Sequence, residues 1–164
     1  VEVNQNSSDG DMMQVAIGQG TTGMTPMHLN MITNAVANQG TVMQPYIVEY
    51  VENSTGSIIK QFSPTSYKKL ISEQEAESLK ELMRGVVEEG TASKLKGLSY
   101  TAAGKTGSAE YNSVKEDSHA WFTGFAPADN PQISVTIIIE GAGSGGDFAV
   151  PIARRIFDTY FENK

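Results

Sequence analysis

The sequence has no cysteine and only two histidines, His28 and His119, which stand far apart. Disulfides, thiolate nucleophiles and cysteine-type zinc sites are thereby excluded, and two distant histidines make no metal cluster. Positive charge is also scarce: 12 Lys and Arg stand against 19 Asp and Glu, giving a net charge of −7. Nucleic acids and anionic membranes need clustered basic side chains, so neither is an expected partner. Long hydrophobic runs are missing too. The longest, Val135 to Ile139, contains Thr136 and is far short of a membrane span. No signal-peptide pattern opens the chain, which starts at Val1 instead of Met, a start read as set by processing or truncation.

What remains is one unit long enough for a real core, with no repeat, linker or low-complexity segment. Residues 1–11 read as an irregular lead-in, Met12 to Ile17 as a short apolar stretch, and Gly18-Gln19-Gly20 as a turn. Thr25 and Pro26 open a helix whose apolar face is Met27, Met31, Ile32, Ala35 and Val36, with Gly40 as its stop. Val42–Val51 and Ser57–Phe62 read as strands joined by a hairpin at Asn53–Gly56. Ser72 with Glu75 forms a capping box for a second helix, with Ala76, Leu79, Leu82, Met83, Val86 and Val87 inward and Gly90 at its end.

Three further strands are expected at Tyr100–Tyr111, Ser118–Phe125 and Ile133–Glu140, the last burying Ile133, Val135, Ile137 and Ile139 on one face. A glycine-rich turn, Gly141–Gly146, leads to a closing helix. Asp147 would cap it, Pro151 fits its first turn, and Ile152, Ile156, Phe157, Tyr160 and Phe161 form its buried stripe. The fold class is α/β of the α+β type: an antiparallel sheet flanked by helices.

Three glycine-containing signals compete for the chemistry. Gly104-Lys105-Thr106 ends like a phosphate-binding loop, but Ser99 stands where that loop needs its first glycine. Gly141 to Gly146 matches G-x-G-x-x-G between a strand and a helix. A dinucleotide-binding half-unit would go on to a parallel strand bearing an acidic residue, for which no chain remains before Lys164. The third signal is Lys105-Thr106-Gly107-Ser108. An ammonium and two hydroxyls make a carboxylate receptor if strand twist at an edge lets them converge, and Gly107 lets another backbone approach. Trp121, Phe125, Met24, Met27 and Met31 read as core, His119 as packing or a surface hydrogen bond, and Glu110 as a solvated charge.

The tetrapeptide gains meaning from its neighbours. Lys105 to Glu110 followed by His119-Ala120-Trp121-Phe122-Thr123-Gly124-Phe125-Ala126-Pro127 closely resembles penicillin-binding proteins. So do Ala16-Ile17-Gly18-Gln19-Gly20, Thr25-Pro26, Asn38-Gln39-Gly40 and Glu89-Gly90-Thr91-Ala92, in that order along nearly the whole chain. Ser108-Ala109-Glu110 and the intervening His119 resemble the monofunctional (class B) transpeptidases more than the bifunctional class. The resemblance implies a β-lactamase/transpeptidase-like fold and, in the parent protein, attack on the D-Ala-D-Ala end of a peptidoglycan stem peptide or on a β-lactam. It assigns no cofactor. It implies a parent on the extracytoplasmic side of the bacterial membrane, anchored by an N-terminal segment outside residues 1–164.

That family uses S-x-x-K, S-x-N and K-T-G motifs. No S-x-N occurs here, and the S-x-x-K matches at Ser57–Lys60, Ser66–Lys69 and Ser93–Lys96 all fall after the region where the family places its nucleophile. Residues 1–164 are therefore expected to be the C-terminal portion of a transpeptidase domain, inactive alone and partnered by the missing N-terminal half. By the resemblance, Ser108 would give a backbone N–H to the oxyanion hole and its hydroxyl to the substrate carboxylate. Thr106 would help bind that carboxylate, Lys105 would supply positive potential, and Gly107 would permit backbone approach. A non-catalytic module that docks on a complementary chain is the second reading, and the dinucleotide half-unit the third.

Overall fold

A computed structural model describes residues 3–112 and 117–163; the first two residues of the expected lead-in, the connection at 113–116 and Lys164 lie outside the described residues. The lead-in is not irregular throughout. Helix α1 spans Asp9–Ala16, and Ser8 caps it by accepting from the Asp11 N–H while the Asp11 carboxylate takes the Ser8 N–H. Nothing in α1 is buried, so periodicity gave no sign of it; the capping box alone marks it.

Helix α2 (Pro26–Ala37) starts as its sequence dictates, with the Thr25 hydroxyl accepting from the His28 N–H and Pro26 in the first turn. Its buried residues are Thr33, Ala35 and Val36, whereas Met27 is exposed. The single strand expected over 42–51 is two, because Pro45 has no N–H to give a ladder. β1 (Thr41–Met43) pairs with β4 (Ser66–Lys69), and β2 (Tyr50–Glu52) pairs with β3 (Ile58–Gln61) around the expected hairpin turn. Helix α3 (Glu73–Glu88) carries the Ser72–Glu75 capping box and buries Ala76 and Val87, leaving Leu82 exposed.

The main sheet runs β5-β6-β7, all antiparallel: β5 (Ala103–Asn112), β6 (Asp117–Ala126) and β7 (Ile133–Ile139). Gly107 faces Trp121 across the first ladder, and Phe122 faces Ile137 across the second. Helix α4 (Val150–Glu162) covers one sheet face, where Val150, Ala153 and Phe157 meet Ala120, Phe122 and the partly buried Ile133, Val135, Ile137 and Ile139. Burying Phe122 and Phe157 contributes about 1.5–3 kcal/mol each.

Helix α2 covers the other face, with Val36 against Ala103 and Phe125. There the Thr123 hydroxyl lies 2.7 Å from Thr33 and 2.6 Å from Thr136, so buried polar atoms satisfy one another between helix and sheet. Both faces of β7 are thus covered, not one. Helix α4 is entered through one π-helical turn, Gly145–Ala149, and has no side-chain cap. Asp147, expected as that cap, instead pairs with Lys94 at 3.0 Å.

Candidate functional site

β5 is an edge strand of its sheet, and the four residues Lys105, Thr106, Gly107 and Ser108 lie along that edge. Alternation sends Lys105 and Gly107 to the α2 side, with their register partners Thr123 and Trp121. Thr106 and Ser108 turn to the α4 side. All of them nevertheless border one groove of about 300 Å³, which the loop between α1 and α2 closes with Gln19, Thr22 and Met24. A larger cleft of about 820 Å³ lies between α2 and β1, but no Asp, Glu, Lys, Arg or His lines it. The smaller groove is the candidate site, because it alone of the two carries a cation, Lys105.

The side chains of Lys105, Thr106 and Ser108 each have a partner. The Thr106 hydroxyl meets that of Thr91, in the loop after α3, at 2.5 Å. The Ser108 hydroxyl accepts a long 3.5 Å hydrogen bond from the Gly145 N–H, which leaves its own proton free to donate. The Lys105 ammonium donates to the Thr106 carbonyl at 2.7 Å. The Gln19 side-chain amide donates to the Ser108 carbonyl at 3.1 Å. Within a strand, a residue's N–H and C=O point the same way, so the Ser108 N–H also faces off the open edge.

The glycine-rich turn has a packing role. A Cβ on Gly145 would sit 2.2 Å from the Trp121 carbonyl oxygen and 2.6 Å from that of Gly107, so only glycine lets this turn rest on the sheet. Lys94 holds the turn from the far side, donating to the Gly146 carbonyl and the Asp147 carboxylate, each at 3.0 Å. That ammonium, chiefly through the hydrogen bond, holds Asp147 below the usual carboxylate range. The turn is thus a brace behind Gly107 and Ser108.

Trp121 borders the groove, whereas Phe125 is wholly buried. His119 sits outside the groove lining; its Nδ1 accepts from the Gly141 N–H at 3.1 Å, and its ring stacks on Tyr111 at 4.3 Å. The three S-x-x-K serines go elsewhere: Ser57 is in the hairpin, Ser66 begins β4, and Ser93 begins a short 3-10 turn. None stands on an α-helix or lines the groove. Gln19, Thr91 and Gly145 were not among the site residues expected from the sequence. They touch β5 from 37 or more positions away, or in the case of Thr91 from 15, and no spacing rule reaches across such separations.

Residues 2–158 match the penicillin-binding protein transpeptidase domain. The chain is 33% identical to the peptidoglycan D,D-transpeptidase MrdA of Haemophilus influenzae over 94% of its own length and 26% of that protein's. It is 33% identical to the stage V sporulation protein D of Bacillus subtilis, covering 86% of this chain and 23% of that one. Among solved structures, the imipenem acyl-enzyme complex of penicillin-binding protein A from Mycobacterium tuberculosis superposes with a TM-score of 0.85 at 28% identity. That match takes in 96% of this chain and 35% of the other. The chain thus spans about a quarter to a third of the length of these relatives.

Proposed function

Because the chain belongs to the penicillin-binding protein transpeptidase family, we propose that it forms the carboxylate-binding and oxyanion-stabilising part of a serine-type peptidoglycan D,D-transpeptidase. The observation that carries this reading is the open edge of β5, where the Ser108 N–H faces outward and the Lys105, Thr106 and Ser108 side chains border one groove.

In the reaction, the Ser108 N–H stabilises the oxyanion that develops when a serine attacks the carbonyl of D-Ala-D-Ala. The Ser108 and Thr106 hydroxyls bind the terminal carboxylate, and Lys105 supplies the positive potential that a chain of net charge −7 otherwise lacks. Gly107 leaves the groove floor open; a Cβ there would stand 3.2 Å from that of Trp121. β-Lactams acylate the same serine. The S-x-x-K nucleophile and the S-x-N motif come from residues outside 1–164, which supply the complementary half of the domain. In this reading, which rests on the family, the whole protein works on the outer side of the bacterial membrane, held by a segment outside these residues; no described helix is long and apolar enough to cross a membrane.

Labelling with fluorescent penicillin tests the reading. The full-length protein is expected to give a stable labelled band, and residues 1–164 alone none. A labelled band from residues 1–164 that disappears on mutating Ser57, Ser66 or Ser93 would show that a nucleophile has been misplaced.

A further inference from the structure

Gln19 is the one side chain of the α1–α2 loop that reaches the backbone of the edge strand, and its position is built in. Helix α1 ends in a left-handed turn: the Gly18 N–H donates to the Val15 carbonyl at 3.0 Å and the Gln19 N–H to the Gln14 carbonyl at 2.8 Å. Gly18 makes this possible at φ 79°. The Gln19 carbonyl in turn accepts from Thr22 at 3.3 Å. With its backbone tied at both ends, the half-buried Gln19 extends its amide to the Ser108 carbonyl.

That carbonyl is the acceptor an extended peptide would use if it added itself to β5 as a further strand. Taking the reading above as its basis, we infer that Gln19 is a specificity-determining residue: it caps the Ser108 carbonyl and yields only to a ligand that brings its own N–H. A ligand with a backbone-like amide exchanges one hydrogen bond for another and displaces the cap at little net cost. A ligand without such a donor leaves Gln19 where it is. The cap therefore acts only on acyl donors that carry a peptide N–H beside the scissile carbonyl, and it lowers their apparent affinity by the fraction of time the carbonyl is covered.

The test compares two β-lactams on the full-length protein: penicillin G, which has an acylamino side chain, and sulbactam, which bears no side chain at that ring position and so brings no donor. Gln19→Ala removes the cap, and Gln19→Leu removes the donor while keeping most of the volume. Both variants are expected to raise the second-order rate constant of acylation by penicillin G about 2- to 10-fold, the range set by one net hydrogen bond. Acylation by sulbactam should stay at the wild-type rate. Equal changes for both drugs, no change for either, or slower acylation by penicillin G would overturn the role assigned to Gln19 while leaving the transpeptidase reading standing. A wild-type protein that neither drug acylates would sink both.

Discussion

Gln39 is the only non-glycine residue with a positive φ among those described, at 54°. It ends α2 in a left-handed turn in which the Gly40 N–H returns to the Ala35 carbonyl at 2.7 Å. The next residue could not exchange roles with it, since a Cβ on Gly40 would lie 2.1 Å from the Ile71 carbonyl oxygen. Gly40, expected as the helix stop, does close this turn, with its own φ of 87°, and is a packing glycine as well; the strained non-glycine position falls one residue earlier. Gln39→Gly should therefore stabilise the protein by about 0.5–1 kcal/mol, because a left-handed Cβ costs more than the added freedom of the unfolded chain. Equilibrium urea unfolding checks this: a higher midpoint with an unchanged slope is the expected result. The main-chain oxygen of residue 39 that takes the Lys69 ammonium at 2.8 Å survives the substitution.

The turn from Gly141 to Gly146 shows why single elements divide into those that can be read and those that cannot. Gly143 has φ 88° and open space around its Cβ position, so Gly143→Ala should cost only the backbone strain, about 1–2 kcal/mol. Gly145→Ala would drive a methyl group into two main-chain carbonyls and should cost more, roughly 2–3 kcal/mol. It should also slow β-lactam acylation of the full-length protein, because the turn braces Ser108. Thermal unfolding and acylation rates separate the two variants.

Local chemistry made α2 and α3 legible, since Thr25-Pro26 and Ser72–Glu75 cap them as written. The strand β4 was hidden because Ser66-Tyr67-Lys68-Lys69 is exposed throughout and shows no alternation. Helix α1 is hidden because none of its residues is buried, and the strand break at 44–49 turns on the single missing N–H of Pro45. The edge Lys105–Ser108 could be found as a motif, but its braces could not. Thr91, Gln19 and Gly145 reach it through tertiary contacts that no local pattern encodes.

Across the whole molecule, α4 and the approach to β5 are tied by Tyr100. Its hydroxyl donates to Asp158 at 2.6 Å, and its ring stacks on Phe161 at 4.6 Å. Burial, then the hydrogen bond and the negative charge of Asp158, push its phenol well above the usual value. The folded protein therefore keeps this proton at pH values where the unfolded chain has lost it. The resulting stabilisation is complete below about pH 10 and drains away as pH rises further. The melting temperature should fall between pH 10 and pH 12, and should fall less steeply in Tyr100→Phe. Parallel slopes for the two proteins would place the alkaline sensitivity elsewhere.

Trp121 faces Gly107 across the ladder, on the wall of the groove, and it is the one tryptophan in these 164 residues. The segment therefore carries its own optical gauge at the spot where a ligand would displace water. Filling the groove dries one side of the indole and moves its emission toward the blue, so occupancy becomes visible as a colour change without any dye.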